Sequence, residues 1–150
     1  KNKIKVIKSN FFNPELTLTK GIYTKIKPIN SDLENIKIGI KNLNKINAYN
    51  HTQGLVVRNK KIISKENQKG TKKMLQLIKK NNKHFGILIK FPKKKQDIRA
   101  DLPTIGIDTL RDCKKAGIKG IVLKSKRNIF LDKQKSIKFA NKNNIFIKII

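Results

Sequence analysis

The chain has 150 residues, the length of one ordinary domain, which is enough to bury a single hydrophobic core. It carries 37 Lys and Arg against 9 Asp and Glu, for a formal net charge of +28, while Ile, Leu, Val and Phe recur in periodic runs. This periodicity argues against a disordered chain, and no apolar run approaches the roughly 18 residues that a membrane-spanning helix needs.

The ends and the single cysteine give expectations about context. The opening residues, KNKIKVIKSN, lack the apolar stretch of a signal peptide, and no initiator Met is present, so we expect part of a longer polypeptide. Cys113 stands alone in an apolar helical pattern, which excludes a disulfide within the chain and a cysteine-based metal site. We therefore expect a buried thiol and a reducing, cytoplasmic location.

The first half of the chain predicts a strand, a helix and a hairpin. Residues 3–9 (KIKVIKS) indicate the strand, and residues 31–45 predict the helix, which Ser31 and Glu34 would begin as a capping box. Two β-branched runs on either side of Asn59-Lys60 predict the hairpin. The predicted apolar stripe of the helix consists of Leu33, Ile36, Ile40 and Leu43.

Strands and helices alternate in the second half. A helix opens at Gly70-Thr71, a buried strand covers residues 84–91, and a helix from about Asp108 ends at Gly117 as a left-handed C-cap. Two strands (GIVLK and NIFL) flank the basic loop SKRN, Asp132 caps a last helix, and IFIKII closes the chain as a strand. The apolar face of the Gly70 helix would consist of Met74, Leu75, Leu77 and Ile78. This pattern predicts one α/β domain over residues 1–150, a mixed sheet with helices packed on it.

Four of the nine acids, Asp97, Asp101, Asp108 and Asp112, fall within sixteen residues. If residues 97–102 are extended, Asp97, Arg99 and Asp101 share one face, and carboxylates beside a guanidinium suit Mg²⁺ and phosphate. The alternative for Asp97 and Asp101 is simple pairing with the many lysines, and residues alone leave the two readings about even. For Asp108 and Asp112 an ordinary helical role is favoured.

The net charge also allows a second class of function, a basic nucleic-acid-binding module without catalysis. Lysine is spread through every segment, however, and arginine is rare, which is typical of compositional bias in an AT-rich genome. We therefore predict no specific nucleic-acid partner and keep the binding module as the alternative.

The amino-acid sequence of the acidic segment resembles that of a known family. QDIRADLPTIG (96–106), followed by AGIKGIVLKSKRNIFLDKQKSIKFANKNNIFI (116–147), resembles the carboxy-terminal domain of the LpxI-type UDP-2,3-diacylglucosamine pyrophosphatases. Upstream, TQGLVVRNKKIISKE (52–66) and KGTKKML (69–75) resemble further family motifs in the same order. The chain departs from the family where acids are usual, at Lys69 and Lys72, and also at Thr52 and Lys93-Lys94-Lys95.

The resemblance implies an enzyme of lipid A biosynthesis that hydrolyses UDP-2,3-diacylglucosamine to UMP and 2,3-diacylglucosamine 1-phosphate. It further implies Mg²⁺ as cofactor, a homodimer, and a cytoplasmic enzyme in peripheral contact with the inner membrane. An amino-terminal Rossmann-like domain, which these residues do not match, would complete the pocket, so the isolated domain is expected to be poorly active. A cytidine-deaminase-like layered layout is implied for this half.

The resemblance also carries over individual residues. Asp101 and Asp97 are implied as catalytic carboxylates, and Asp101, Asp97 and Glu66 as metal ligands. Lys90 matches a family lysine, although on a strand it could equally be solvated. His51 and His84 match no functional position and are expected to be structural. The candidates for substrate binding are Gln53, Gly70, Thr71, Gln96, Arg99 and Thr104.

Overall fold

The computed structural model describes residues 7–8, 11–46, 52–81, 83–93, 97, 99 and 101–150. In these residues a 3-10 turn, Pro14–Leu16, precedes the regular elements. The helices are α1 (Asn30–Ile46), α2 (Gly70–Gln76), α3 (Ile107–Lys115) and α4 (Lys133–Lys142). The strands are β1 (Gly21–Ile22), β2 (Gly54–Arg58), β3 (Lys61–Lys65), β4 (Gly86–Lys90), β5 (Thr104–Ile105), β6 (Ile118–Leu123), β7 (Ile129–Phe130) and β8 (Phe146–Ile149).

Six of the strands form one mixed sheet in the order β1-β8-β6-β4-β2-β3. Strands β4, β6 and β8 are parallel neighbours. The other pairings are antiparallel: β1 pairs with β8, and β2 pairs with both β3 and β4. Parallel strands need crossover connections, and α3 and α4 supply them. A separate parallel pair, β5 and β7, lies beside this sheet. The predicted α/β class with a mixed sheet is confirmed, and the cytidine-deaminase-like layout stays a prediction.

The core is divided between the two faces of the sheet. One face packs against α2, α3 and α4, with Val56, Leu88 and Ile121 at its centre. The other face packs against α1, with Leu55, Ile87 and Ile89 as neighbours of the helix. Successive residues of a strand point to opposite faces, so the fully apolar strands are those that need cover on both sides.

The hairpin between β2 and β3 is confirmed at the predicted residues. Asn59 and Lys60 have φ angles of 48° and 61°, the left-handed values of a type I′ turn. Arg58 pairs with Lys61 directly beneath this turn. The turn chemistry therefore fixes the register of β3, the edge strand of the sheet.

Helix α1 is confirmed, but its start differs from the prediction. It begins at Asn30. The carboxylate of Asp32 accepts a hydrogen bond from the Ile29 N–H at 3.1 Å, as the acid at position N3 of a capping box does. Glu34 instead forms an ion pair with Lys60 at 2.9 Å. Leu33 is exposed, so its place in the predicted stripe is wrong. The buried face consists of Asp32, Asn35, Ile36, Gly39 and Leu43.

Three smaller expectations have different outcomes. Gly117 ends α3 with a φ of 69°, as predicted, because a left-handed residue there costs glycine nothing. Leu77 is exposed, since α2 ends at Gln76 before its predicted face is complete. Asp132 precedes α4, but its side chain makes no capping hydrogen bond; its carbonyl accepts the Ser136 N–H at 2.8 Å. The strand predicted over residues 3–9 lies largely outside the described residues.

Candidate functional site

The carboxyl ends of the parallel strands define one edge of the sheet. Strands β4, β6 and β8 end there at Lys90, Leu123 and Ile149. In α/β proteins, ligands bind outside this edge, because the loops that leave it converge there. The segment that carries Asp97, Arg99 and Asp101 lies between β4 and β5, so it leaves the sheet from this edge.

A buried asparagine ties two of these loops together. The side-chain amide of Asn128 donates to the Lys90 carbonyl at 3.2 Å, and its Oδ1 accepts the Lys124 N–H at 2.9 Å. Asn128 is almost fully buried, so these bonds fix the loop after β6 against the end of β4. Asn128 lies in the predicted basic loop SKRN, and its only local signal is its place just before the apolar pair Ile129-Phe130.

Lys90, Glu66 and Thr71 form a buried polar cluster at the same edge. The Lys90 ammonium lies 3.2 Å from Oε1 and 3.4 Å from Oε2 of Glu66, and it also donates to the Thr71 hydroxyl. The Thr71 hydroxyl donates to Glu66 Oε1 at 2.9 Å. Lys90 is buried, so the solvated alternative for this lysine is wrong. Both carboxylate oxygens of Glu66 are therefore engaged within the protein.

The backbone around Glu66 is built to hold that carboxylate in place. Its N–H donates to the Gly54 carbonyl at 2.8 Å, and its carbonyl accepts the Thr52 hydroxyl at 3.0 Å. A methyl group added at Gly54 would lie only 2.9 Å from Glu66 Oε2, so a glycine is needed where the carboxylate crosses β2. Gly70, with a φ of 79°, turns the chain into α2 and brings Thr71 towards the cluster.

Asp97 and Arg99 form a chelated pair rather than one face of a strand. The Arg99 Nε and Nη2 atoms donate to the Asp97 carboxylate at 3.0 Å and 2.8 Å, and the Arg99 N–H donates to Oδ1 at 3.0 Å. The Asp101 N–H donates to the Asp97 carbonyl at 2.9 Å, which closes a turn. The predicted extended row is therefore wrong, because the Asp97 side chain bonds the local backbone instead. The side-chain hydrogen bond from Arg99 lowers the pKa of Asp97 to about 2.

Asp101 differs from the other two candidate carboxylates. Its side chain is exposed and makes no hydrogen bond or ion pair with the residues that the structure describes. Leu102 and Pro103, which follow it, are buried and anchor this end of the loop. Pro103 also accepts the Ile129 N–H at 3.0 Å, next to the β5 and β7 pair. Asp101 is thus an exposed carboxylate that precedes a buried anchor, Leu102 and Pro103.

The remaining candidates occupy different surroundings. Thr104 is exposed in β5, and its hydroxyl donates to the Leu102 carbonyl at 3.3 Å. Gln53 is half-buried before β2, where its carbonyl accepts the Phe91 N–H at 2.8 Å. Gln96 lies outside the described residues. The structure therefore groups Glu66 with Thr71, and Asp97 with Arg99, but no direct bond among the described residues joins the two groups.

The donor set can be compared with the needs of Mg²⁺. The described residues contain no group of three or more His, Cys, Asp or Glu side chains that could hold a metal ion. Mg²⁺ commonly takes only one or two carboxylates and completes its shell with waters and substrate phosphates. Glu66 and Asp97 have their oxygens engaged by cations, whereas neither side-chain oxygen of Asp101 has a partner among the described residues. A phosphate-dependent Mg²⁺ site on Asp101 fits these residues, and an all-protein cage does not.

Two comparisons with known proteins agree with each other. The family described as LpxI C-terminal domain matches residues 19–148. A curated relative from Caulobacter vibrioides, named UDP-2,3-diacylglucosamine pyrophosphatase LpxI, is 30% identical over 141 residues, which cover 89% of this chain and 50% of the relative. The chain thus spans about half the length of that relative. It belongs to the LpxI family, as a carboxy-terminal domain of that family.

Proposed function

We propose that this chain is the carboxy-terminal half of an enzyme that hydrolyses the pyrophosphate bond of UDP-2,3-diacylglucosamine. The products would be UMP and 2,3-diacylglucosamine 1-phosphate, in lipid A biosynthesis. The printed name of the Caulobacter relative supports this substrate. The observation that carries the proposal is the exposed carboxylate of Asp101, which has no partner among the described residues and lies two positions after Arg99 in the segment between β4 and β5.

In the proposed reaction a water molecule attacks one phosphorus of the pyrophosphate. The bond from that phosphorus to the bridging oxygen breaks, the bridging oxygen leaves with the other phosphate, and the water proton passes to a base. Asp101 either accepts this proton or ligates the metal ion, and both roles need an ionised carboxylate. Mg²⁺, when bound, would offset phosphate charge and lower the pKa of a bound water. Asp101 is the residue that would hold it, since the Asp97 oxygens are engaged by Arg99.

Arg99 supplies a cation for the phosphate oxygens. Its guanidinium is about half exposed and is held in one orientation by Asp97. A guanidinium is planar, and its N–H donors bind phosphate in a fixed geometry. A guanidinium that is already held in one orientation loses less conformational entropy on binding phosphate than a mobile one. Asp97 is therefore proposed to position Arg99 as well as to supply charge.

The buried cluster of Lys90, Glu66 and Thr71 is proposed to position the start of α2 beside the substrate. Lys90 and Glu66 fix the Thr71 hydroxyl, and with it the turn at Gly70 where α2 begins. Lys69 and Lys72, which stand where the family usually has acids, flank this turn and are exposed. Two additional cations near an anionic substrate favour binding of phosphate and disfavour a second metal ion.

The resemblance supplies further parts of this proposal. The amino-terminal domain would close the pocket, the active form would be a homodimer, and the enzyme would be cytoplasmic and meet its amphipathic substrate at the inner membrane. Among the described residues no helix is long and apolar enough to cross a bilayer.

A comparison of two polypeptides tests the proposal. Release of UMP from UDP-2,3-diacylglucosamine is measured with residues 1–150 alone and with the same residues joined to their native amino-terminal half. We expect both to fold, the longer polypeptide to release UMP in a Mg²⁺-dependent manner, and residues 1–150 to be poorly active. Absence of UMP release by the folded longer polypeptide would refute the proposed substrate. Full activity of residues 1–150 would refute the shared pocket.

A further inference from the structure

A cavity lies at the opposite edge of the sheet from the candidate site. Phe85, Gly117 and Ile145 each stand immediately before β4, β6 and β8, and all three line a cavity of about 460 Å³. This volume falls within the range of small-molecule binding sites. Because strands of five or six residues rise by roughly 3.3 Å per residue, the two edges are about 15–20 Å apart. We call this cavity the amino-edge pocket.

The lining of the amino-edge pocket combines cations with an apolar floor. Ile118 and Ile145 are buried beneath it, and the ring of Phe85, 42% exposed, stands at its mouth. The positive charges come from Lys80, Lys114 and Lys119, and none of the described lining residues is acidic. The pocket therefore offers an aromatic surface and several ammonium groups within one concavity.

Two of the three lysines are free to bind a ligand. The ammonium groups of Lys80 and Lys114 make no hydrogen bond or ion pair among the described residues. Lys119 is tethered, with its ammonium 2.8 Å from Oδ1 of the buried Asp32. A tethered cation beside two free ones gives an anion both a fixed partner and adaptable ones.

Helix ends do not account for these lysines. The pocket lies beyond the carboxyl ends of α3 and α4, where lysines often stabilise free carbonyl groups. Here the protein already supplies donors to three carbonyls at the end of α3. The Lys114 carbonyl accepts the Gly117 N–H at 3.2 Å, and the Gly117 carbonyl accepts the Gly86 N–H at 2.9 Å. The Ala116 carbonyl accepts a hydrogen bond from the Arg58 guanidinium at 3.3 Å. The ammonium groups are thus available to something outside the chain.

Two residues in the wall of the pocket have a left-handed backbone conformation. Gly117 and Asn144 have φ angles of 69° and 54°, and both line the cavity. A methyl group added at Gly117 would lie 3.2 Å from Lys80 Cγ, so the glycine leaves room for the lysine stem along the wall. The Asn143 amide is used within the chain, where it donates to the Phe139 carbonyl at 2.8 Å.

A smaller polar cavity of about 240 Å³ adjoins the pocket, and Phe85 and Lys119 line both. Its walls include Asn59 and His84, which can donate hydrogen bonds to hydroxyl groups or accept them, together with the charged side chains of Asp32, Lys60 and Lys83. A ligand that covers Phe85 would therefore meet the ammonium groups of the amino-edge pocket on one side and a mixed polar and charged wall on the other.

We propose that the amino-edge pocket binds a phosphate monoester attached to a planar, hydroxyl-bearing group, of the class of nucleoside monophosphates. The phosphate contacts Lys80 and Lys114, and the planar ring covers Phe85, since stacking on an aromatic side chain is favourable for any base. The binding is independent of hydrolysis at the opposite edge.

Calorimetric titration of residues 1–150 with AMP, adenosine and inorganic phosphate tests this site. We expect AMP to bind more tightly than either part. The variant Lys80→Gln/Lys114→Gln should weaken AMP binding by about tenfold or more, as expected when charge-assisted hydrogen bonds are lost. The control variant, Lys37→Gln/Lys135→Gln, removes the same charge from exposed positions on α1 and α4 and should change binding less than about twofold.

The same titrations can overturn the proposal. An equal loss in both double variants would mean that AMP responds to the overall charge and not to the pocket. If inorganic phosphate binds as tightly as AMP, the planar ring contributes nothing to binding and the proposed ligand class is wrong. Absence of detectable AMP binding at low salt would refute the binding site itself. All four lysines are exposed, so both double variants should fold as the parent does. Circular dichroism of both variants checks this.

Discussion

The Lys90 ammonium and the Glu66 carboxylate form an ion pair in the interior, 3.2 Å apart and each less than 10% exposed. The pair joins the last residue of β4 to the segment that follows the hairpin, and Thr71 links it to α2. A buried pair is not in itself a large source of stability, because both charges lose their hydration. Its effect is to require that the three segments meet in one arrangement.

Glu66→Gln tests this arrangement through stability. The substitution keeps the size of the side chain but leaves the Lys90 charge unpaired in the interior, which typically costs about 3–5 kcal/mol. Urea denaturation at neutral pH measures the free energy of unfolding. The control is Glu34→Gln, which breaks an exposed pair with Lys60 and should cost less than about 1 kcal/mol. Similar losses in the two variants would contradict the buried pair.

A rescue variant separates charge from packing. If the loss in Glu66→Gln comes from the unpaired ammonium, Glu66→Gln/Lys90→Met should recover part of it, since an apolar side chain of similar length needs no partner. A further loss in the double variant would indicate that the packing of Lys90 matters more than its charge.

Asp97 provides a test by titration. Hydrogen bonds from Arg99 lower its pKa from an ordinary 3.8 to about 2, so the folded state favours the ionised form. Any stability from this pair is fully present above about pH 4 and is lost as the pH falls through 2. Carbon-detected NMR of the Asp97 carboxyl should give a midpoint near 2. In Arg99→Gln the midpoint should rise towards 3.8, and an unchanged midpoint would contradict the chelated pair.

Gly120 and Phe146 are partners on adjacent parallel strands, and they test the packing of the sheet. A methyl group at Gly120 would lie 2.0 Å from the Cζ atom of Phe146, which forces the ring to move. Gly120→Ala should therefore lower the free energy of unfolding by about 1–3 kcal/mol. In the background Phe146→Leu the same substitution should cost clearly less, by the logic of a double-mutant cycle. Equal costs in both backgrounds would mean that the ring does not cover this glycine.

The net charge of +28 makes weak binding of duplex DNA unavoidable, and its salt dependence tests the alternative function. If the lysines are compositional, affinity should be weak and should collapse between about 50 and 200 mM salt, because released counterions drive the binding. Fluorescence anisotropy with a labelled duplex measures this. Sequence-selective nanomolar binding at physiological salt would favour the nucleic-acid-binding module.

Much of the fold could be predicted from local patterns. The hairpin at Asn59-Lys60, the C-cap at Gly117 and the alternation of strands with helices are signals within a few residues, and the structure confirms them. Leu33 and Leu77 were misplaced because Leu33 lies near the start of α1 and Leu77 follows the end of α2, and periodicity alone does not predict where a helix stops packing on the core.

The candidate site was less predictable, because its contacts join distant segments. Lys90 and Glu66 are 24 residues apart, and nothing local indicates that both are buried. Alternation suggested a strand at Asp97, whereas hydrogen bonds from Arg99 to the Asp97 side chain compete with extended structure there. Asn128 was missed because its role depends on the Lys90 carbonyl, 38 residues away.

The most direct test of the proposed function is the activity of Asp101→Asn in the polypeptide that contains both halves. The substitution is nearly isosteric at an exposed position, so the fold should be unaffected, while loss of a base typically costs about 10²–10⁴-fold in rate. We expect UMP release to fall on at least that scale with substrate binding retained, and Asp112→Asn on α3 to remain near normal. Near-normal hydrolysis by folded Asp101→Asn at saturating Mg²⁺ would contradict a role for Asp101 in the reaction.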